Sequence, residues 1–273
     1  MLRVGMINFL NTIPLEMPPG TGGIMFETVP GSPAKINRLL LGGEVDVGVI
    51  SSAFFLAHRD ELVRVGNLGI VSDGPAMSVG LFSNEEREAL LRRGRRLAVY
   101  ETPRSATSVL LNRIILERFY GVTVVSAPDR EHAEAILLIG DECLETFDAG
   151  TYGTFLDIGT EWKHHTGLPA VFAVLATSKE SLAEKNSELT LYFSHLLEYH
   201  RRLYLDKDSL VAIARTRTHL PEKTLYEYFR SLSYIIGRRE EESLSLFGSY
   251  IDELQARSPE EGDAVRRVLG SLS

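Results

Sequence analysis

Short apolar runs recur along the first two-thirds of the chain, at 3–8, 45–50, 78–83, 96–100, 122–125, 136–139 and 170–177, mostly separated by helix-like segments. Such alternation builds a mainly parallel sheet covered on both faces, because a parallel strand needs a crossover helix to return the chain. Between the first two runs, Ser32 and Pro33 announce a helix that ends at Gly42-Gly43, a serine cap with proline in the first turn. Residues 1–50 therefore read as one β-α-β unit. A second unit comprises the strand at 96–100, a helix from Ser105 to Tyr120 stopped by Gly121, and the strand at 122–125.

The charged segment Asn84 to Arg96 interrupts the apolar pattern, which places the first crossing between two lobes there; the run at 170–177 carries the chain back. The expected division is 1–84 with 171–273 in lobe 1 and 85–170 in lobe 2, with hinges near Ser83 and Ala170. Beyond Ser178 the spacing reads as helix throughout, including a capping box at Ser258-Pro259-Glu260-Glu261. Two crossings between α/β lobes describe a type II periplasmic-binding-protein-like fold, with a cleft between the lobes and a helical C-terminal region. A single doubly wound domain with a helical tail is the structural alternative.

Composition narrows the function. The chain has 273 residues, 44% hydrophobic and 24% charged, which is globular material. A formal charge of −8 argues against nucleic-acid binding. The dense basic run Arg92, Arg93, Arg95, Arg96 follows Glu85, Glu86 and Glu88 and reads as a solvated connector. The single cysteine, Cys143, excludes an internal disulfide, and the seven histidines form no HExxH or other compact metal pattern. His164 and His165 precede the return crossing in a polar segment that favours exposure, although one of them there would lie near a cleft. No GxSxG elbow, GxxxxGK[ST] loop or post-strand GxGxxG is present, so no cofactor is expected. The first strand begins by Leu2, leaving no room for a signal peptide, and no apolar run approaches the roughly 20 residues of a membrane span. Both observations point to the cytoplasm.

In open α/β sheets ligands collect beyond the carboxyl ends of strands, where helix N-termini offer free N–H groups and partial positive charge. Ser51 and Ser52 follow the second strand; Ser105, Thr107 and Ser108 follow the strand at 96–100. Each is explained singly as an N-cap, but hydroxyls at a helix start in both lobes suit an anionic, dicarboxylate ligand held between them. Asn11, after the first strand, fits a turn and a ligand contact equally well. The turn Ser72 to Ser78 overlooks the same cleft, and Asp141 at the end of 136–139 serves as a helix cap or a ligand contact.

Taken in order, the strand-end motifs resemble the chorismate dehydratase family of the futalosine route to menaquinone. They are RVGMINFLNTIPL from Arg3, GEVDVGVISS from Gly43, SDGPAMSVGLFS from Ser72, SATSVLL from Ser105, LLIGDE from Leu137 and TGLPAVFAV from Thr166. The stretch from Pro18 to Gly23 departs from commoner members. The resemblance implies the type II fold and loss of water from chorismate to give 3-[(1-carboxyvinyl)oxy]benzoate without a cofactor. It implies Asn11 as the catalytic contact and Ser51, Ser52, Ser105, Thr107 and Asp141 as substrate contacts, with no metal. A non-catalytic binding module for a small carboxylate shares the architecture, as does an enzyme like 1,4-dihydroxy-6-naphthoate synthase.

Overall fold

The computed structural model describes residues 1–256. The chain begins with β1 (Leu2–Met6), a 3-10 turn (Leu10–Leu15), β2 (Phe26–Pro30), α1 (Pro33–Leu41), β3 (Val47–Ser51), α2 (Ser52–Ala57) and β4 (Leu62–Ser72). It continues through β5 (Val79–Ser83), α3 (Arg87–Leu90), β6 (Arg96–Glu101), α4 (Ala106–Arg113), β7 (Thr123–Ser126), β8 (Ala135–Ile139), α5 (Gly140–Ala149), β9 (Thr154–Asp157) and α6 (Ile158–Thr166). The return is β10 (Ala170–Ser178), followed by α7 (Lys179–Leu205), α8 (Lys207–Arg215), α9 (Glu222–Ser231), β11 (Leu232–Ile235) and α10 (Arg238–Gln255). The expected capping box at Ser258 lies outside the described residues. None of the described helices is long and apolar enough to cross a membrane.

Two sheets form, one per lobe, with orders β11-β4-β10-β3-β1-β2 and β7-β6-β8-β5-β9. The parallel pairs are β1 with β2 and β3, and β6 with β7 and β8. The strand that enters each sheet after a crossing is inserted antiparallel between its neighbours: β5 between β8 and β9, and β10 between β3 and β4. Both sheets are therefore mixed where mainly parallel sheets were expected. The strand at 78–83, expected to close lobe 1, is instead β5 of the second sheet. The chain thus crosses through 73–78 rather than at Asn84, and Ser83 lies at a strand end. Beyond Ser178, β11 interrupts the expected run of helices.

Side-chain size sets how the layers meet. Gly5 and Gly48 are register partners on β1 and β3. A Cβ on them would stand 2.7 Å and 3.2 Å from Ile36 Cγ2, so the paired glycines form the trough in which fully buried Ile36 of α1 seats. On the other face of the first sheet lie Tyr192 and Leu196 of α7 with Tyr228 and Phe229 of α9. The C-terminal helices also reach the second lobe: fully buried Trp162 of α6 donates its Nε1–H to Ser243 of α10 at 2.9 Å and meets the Phe247 ring edge to face. This indole combines a large apolar area with a satisfied polar handle, which makes α10 a strap across both lobes.

The crossing itself is pinned. Met77 has φ of 58°, a left-handed conformation that costs a non-glycine side chain energy. The buried Asp157 carboxylate, which caps α6 through Thr160 N–H, also accepts the N–H groups of Ala76 and Met77 at 2.7–3.0 Å. These bonds hold the unusual turn that delivers Ser78 to the cleft. The basic connector is largely solvated as expected, with Arg95 bound to Glu85 and Glu134.

Candidate active site

A cleft of about 650 Å³, including its open mouth, lies between the sheets at the carboxyl ends of their strands. Lobe 1 contributes Ile7 and Asn11 after β1, Ile50 and Ser51 at the end of β3, and Ile70 and Phe172 from β4 and β10. Lobe 2 contributes Arg104, Ser105 and Ser108 after β6, and Ile139 and Gly140 at the junction of β8 and α5, while Ala76 and Ser78 come from the crossing. Apolar walls with a few convergent polar groups are the usual composition of a small-molecule site.

Local structure orients the hydroxyls. Ser51 caps α2, accepting Phe54 N–H at 3.3 Å; Ser105 caps α4, accepting Ser108 N–H at 3.3 Å. Ser105 and Ser108, three residues apart, share one helical side and their hydroxyls meet at 3.0 Å. The first turn of α5 has no side-chain cap and opens at Gly140 on the cleft. There the Gly140 N–H donates to the Ser78 carbonyl at 2.7 Å, and Asp141 and Glu142 follow in the same turn.

Of the residues singled out from sequence, Asn11, Ser51 and Ser105 line the cleft. Ser52 is fully buried beneath α2, and its hydroxyl has no protein partner. Thr107 is also fully buried and accepts Ala53 N–H at 2.9 Å, joining the start of α4 to that of α2. Asp141 caps no helix; its half-buried carboxylate crosses between lobes to accept Leu10 N–H at 3.0 Å. Burial raises the pKa of Asp141, with Glu145 adding to the rise and the Leu10 N–H working against it. His165 stacks on Phe119 at 4.5 Å, exposed His164 lies beside it, and neither is among the lining residues.

Three contributors went unassigned from sequence. Arg104 is the cationic side chain of the lining, and its guanidinium sits 5.0 Å above the Phe9 ring, which itself packs where a Cβ on Gly140 would go. Ser78 enters through the strained crossing. Tyr228 of α9, fully buried, donates its hydroxyl to Ser78 Oγ at 2.9 Å. Ser108 was visible in its helix start and is set in the site by its spacing from Ser105.

Comparison with known proteins places this geometry. The model of a family described as menaquinone biosynthesis matches residues 2–253. The chain belongs to the menaquinone biosynthesis family. A curated relative, the chorismate dehydratase of Thermus thermophilus, is 31% identical over 203 residues, covering 65% of this chain and 70% of the relative. Among solved structures, the family member is similar in fold to the periplasmic aliphatic sulphonate binding protein SsuA of Escherichia coli, with a TM-score of 0.64 at 13% identity, covering 92% of this chain and 91% of that one. A Candida albicans protein described as having the generic periplasmic binding protein fold gives a TM-score of 0.63 at 14% identity, covering 99% and 95%. The expected type II architecture with two lobes and a helical C-terminal region is thus the fold of this family member.

Proposed function

We propose that this protein is a chorismate dehydratase, a hydro-lyase that converts chorismate to 3-[(1-carboxyvinyl)oxy]benzoate and water in the cytoplasm. The observation that carries the reading is the character of the lining: hydroxyls, an amide, one arginine, and no carboxylate, histidine, lysine or cysteine among the described lining residues. Such a cleft holds and polarises an anion but supplies no side chain that takes a proton at neutral pH. The chemistry there suits a substrate that brings its own base.

Chorismate does so. The C3 proton lies γ to the ring carboxylate through a double bond, so its removal spreads charge onto that carboxylate. Donors from Ser51, Ser105 and Ser108 stabilise the charge as it grows. The enolpyruvyl carboxylate, tethered through the ether oxygen at C3, takes the proton. The C4 hydroxyl then leaves, accepting that proton to depart as water, and the ring becomes aromatic. Asn11 orients the departing hydroxyl, and Arg104 pairs with one of the two carboxylates. Thr107 and Asp141 act one layer back, holding the helix starts and the Leu10 turn that carry these groups.

The test is to mix chorismate with the protein and follow ultraviolet absorbance and product mass. Loss of the diene with a mass decrease of one water supports the reading. An unchanged spectrum with chorismate bound would make the protein a carboxylate-binding module instead.

A further inference from the structure

The segment that leads from β1 into the 3-10 turn supplies Ile7, Phe9, Asn11 and Thr12 to the cleft. It leaves the sheet after Met6, so tertiary contacts rather than strand pairing hold it. Lobe 2 takes its Leu10 N–H through Asp141 at 3.0 Å. The C-terminal helices take its other side. Arg217, just after α8, donates to the two Glu16 carboxylate oxygens at 2.6 and 3.1 Å and to Asn8 Oδ1 at 3.2 Å. Glu16, largely buried, also lies 2.6 Å from Thr12 Oγ1, a hydroxyl that reaches the carbonyls of Ile7 and Phe9 at 2.7 Å and accepts Phe9 N–H at 3.3 Å.

We infer that Arg217 is a positioning residue for the site, a fork that grips Asn8 and Glu16 on either side of Asn11 and Thr12 and so fixes how those two face the substrate. A planar guanidinium suits the task, because its donors diverge at set angles and hold both anchors at once, whereas an ammonium offers a point charge. Packing alone does not fix the segment. A second, narrow hollow of about 300 Å³, including space open to solvent, is lined by Thr12, Leu15, Glu16 and Tyr192 and shares Ile7, Thr12 and Val49 with the cleft. Space as well as packing therefore backs the wall there. The connection that carries Arg217 is itself tied to lobe 2: Thr218 lies 3.4 Å from a Glu145 carboxylate oxygen of α5, and Thr224 of α9 donates to Asp148 at 2.5 Å.

The role rests on the dehydratase reading for its substrate. Arg104, Ser51, Ser105 and Ser108 sit on other elements, so substrate still binds when the Asn8–Glu16 segment drifts. What drift misplaces is Asn11 beside the departing hydroxyl, and a shift of about 1 Å in such a group slows the chemical step. An arginine that merely braced the surface would move the melting temperature and leave kcat alone. One that sets the segment moves kcat more than KM.

The experiment compares full-length wild type, Arg217→Met, Arg217→Lys, Glu16→Gln and the Arg217→Met/Glu16→Gln double variant on chorismate, with thermal unfolding of each. The expected result is a fall in kcat of about tenfold for Arg217→Met, with KM changed less than about threefold. Arg217→Lys, which keeps the charge without the fork, should still lose about threefold or more. Glu16→Gln should add little to Arg217→Met, because both break one contact. A folded Arg217 variant with kcat within about twofold of wild type, or penalties that multiply in the double variant, overturns the inference. Amide hydrogen exchange on the ligand-free proteins tests the same contact without any substrate. Peptides spanning residues 7–16 should exchange faster in Arg217→Lys than in wild type while those spanning α1 stay unchanged; no change at 7–16, or equal acceleration in both, overturns it. A wild-type protein inert toward chorismate overturns the dehydratase reading alone and leaves the exchange comparison decisive for Arg217.

Discussion

Thr107 Oγ1 accepts the backbone N–H of Ala53 at 2.9 Å, so the helix start that follows β6 in one lobe is bound directly to the helix start that follows β3 in the other. Both residues are fully buried. With Asp141 on Leu10 N–H and the Arg104 cation over Phe9, this contact holds the lobes together around the cleft. Thr107, Ala53, Asp141 and Leu10 join the lobes from behind the lining, and Arg104 and Phe9 join them within it.

Thr107→Val keeps the shape but leaves Ala53 N–H buried and unpaired. It should lower stability by about 1–3 kcal/mol, and the looser lobes should raise KM for chorismate. Thermal unfolding and steady-state kinetics read the two effects, and small-angle scattering should show a more open ligand-free chain. A variant with wild-type melting and compactness would show that this contact does not hold the lobes.

Arg104→Met removes the guanidinium while keeping much of its apolar stem over Phe9. A charge-assisted hydrogen bond to a carboxylate is worth about 1.5–3 kcal/mol, which predicts a rise in KM of roughly 10–100-fold. Added salt should weaken wild-type binding more than that of the variant. Equal salt sensitivity would place the ligand's charge elsewhere.

Asp141 has its pKa raised, chiefly by burial, so ionisation is less favourable in the fold than in the unfolded chain. That cost grows as pH rises from the unfolded value, near about 3.9, through the higher folded one, and is fully present above it. Asp141→Asn keeps an acceptor for Leu10 N–H and should be neutral or slightly stabilising at pH 7. Asp141→Ala, which orphans that N–H, should destabilise by about 1–3 kcal/mol. Thermal melts of the pair across pH 4 to 8 check the sign.

Asp46 behaves oppositely. Burial acts to raise its pKa, but hydrogen bonds and charges from Arg3 and Lys185 prevail and hold the carboxyl below its ordinary value. Its contribution is present above the unfolded pKa and disappears as pH falls through the lower folded one. Asp46→Asn should lose about 2–4 kcal/mol at neutral pH and flatten the acid limb of the stability curve below about pH 4. An unchanged acid limb would rule out this ion pair as its source.

What was legible in the sequence follows from burial. The strands β1, β3 and β8 are largely enclosed, and β6 buries Leu97 and Val99, so their apolar runs stand out, and the glycine stops around α1 and after Tyr120 mark helix ends. The strands β2, β9 and β11 lie at sheet edges, are only four or five residues long, and carry no continuous apolar signal. The longer β4 is broken in pattern by Arg64, Gly66 and Asn67. The pairing partners of Val79–Ser83 are remote in sequence, so an apolar run alone says nothing of which lobe it joins.

The site shows the same division. A serine after a strand signals a helix start, but not which of two adjacent hydroxyls faces the cleft. Ser51 lines it while Ser52 turns inward, and Ser108 rather than Thr107 shares the Ser105 side. Tyr228 sits 150 positions from Ser78 and has no motif of its own; only the folding of α9 onto the first sheet brings it there.

The most direct measurement compares chorismate with its side-chain carboxamide, in which the enolpyruvyl carboxylate is a neutral amide. With the substrate as its own base, chorismate should lose its diene absorbance and one water while the amide binds and stays intact. Conversion of the amide at a rate comparable to chorismate, or chorismate left unconverted, would contradict this account.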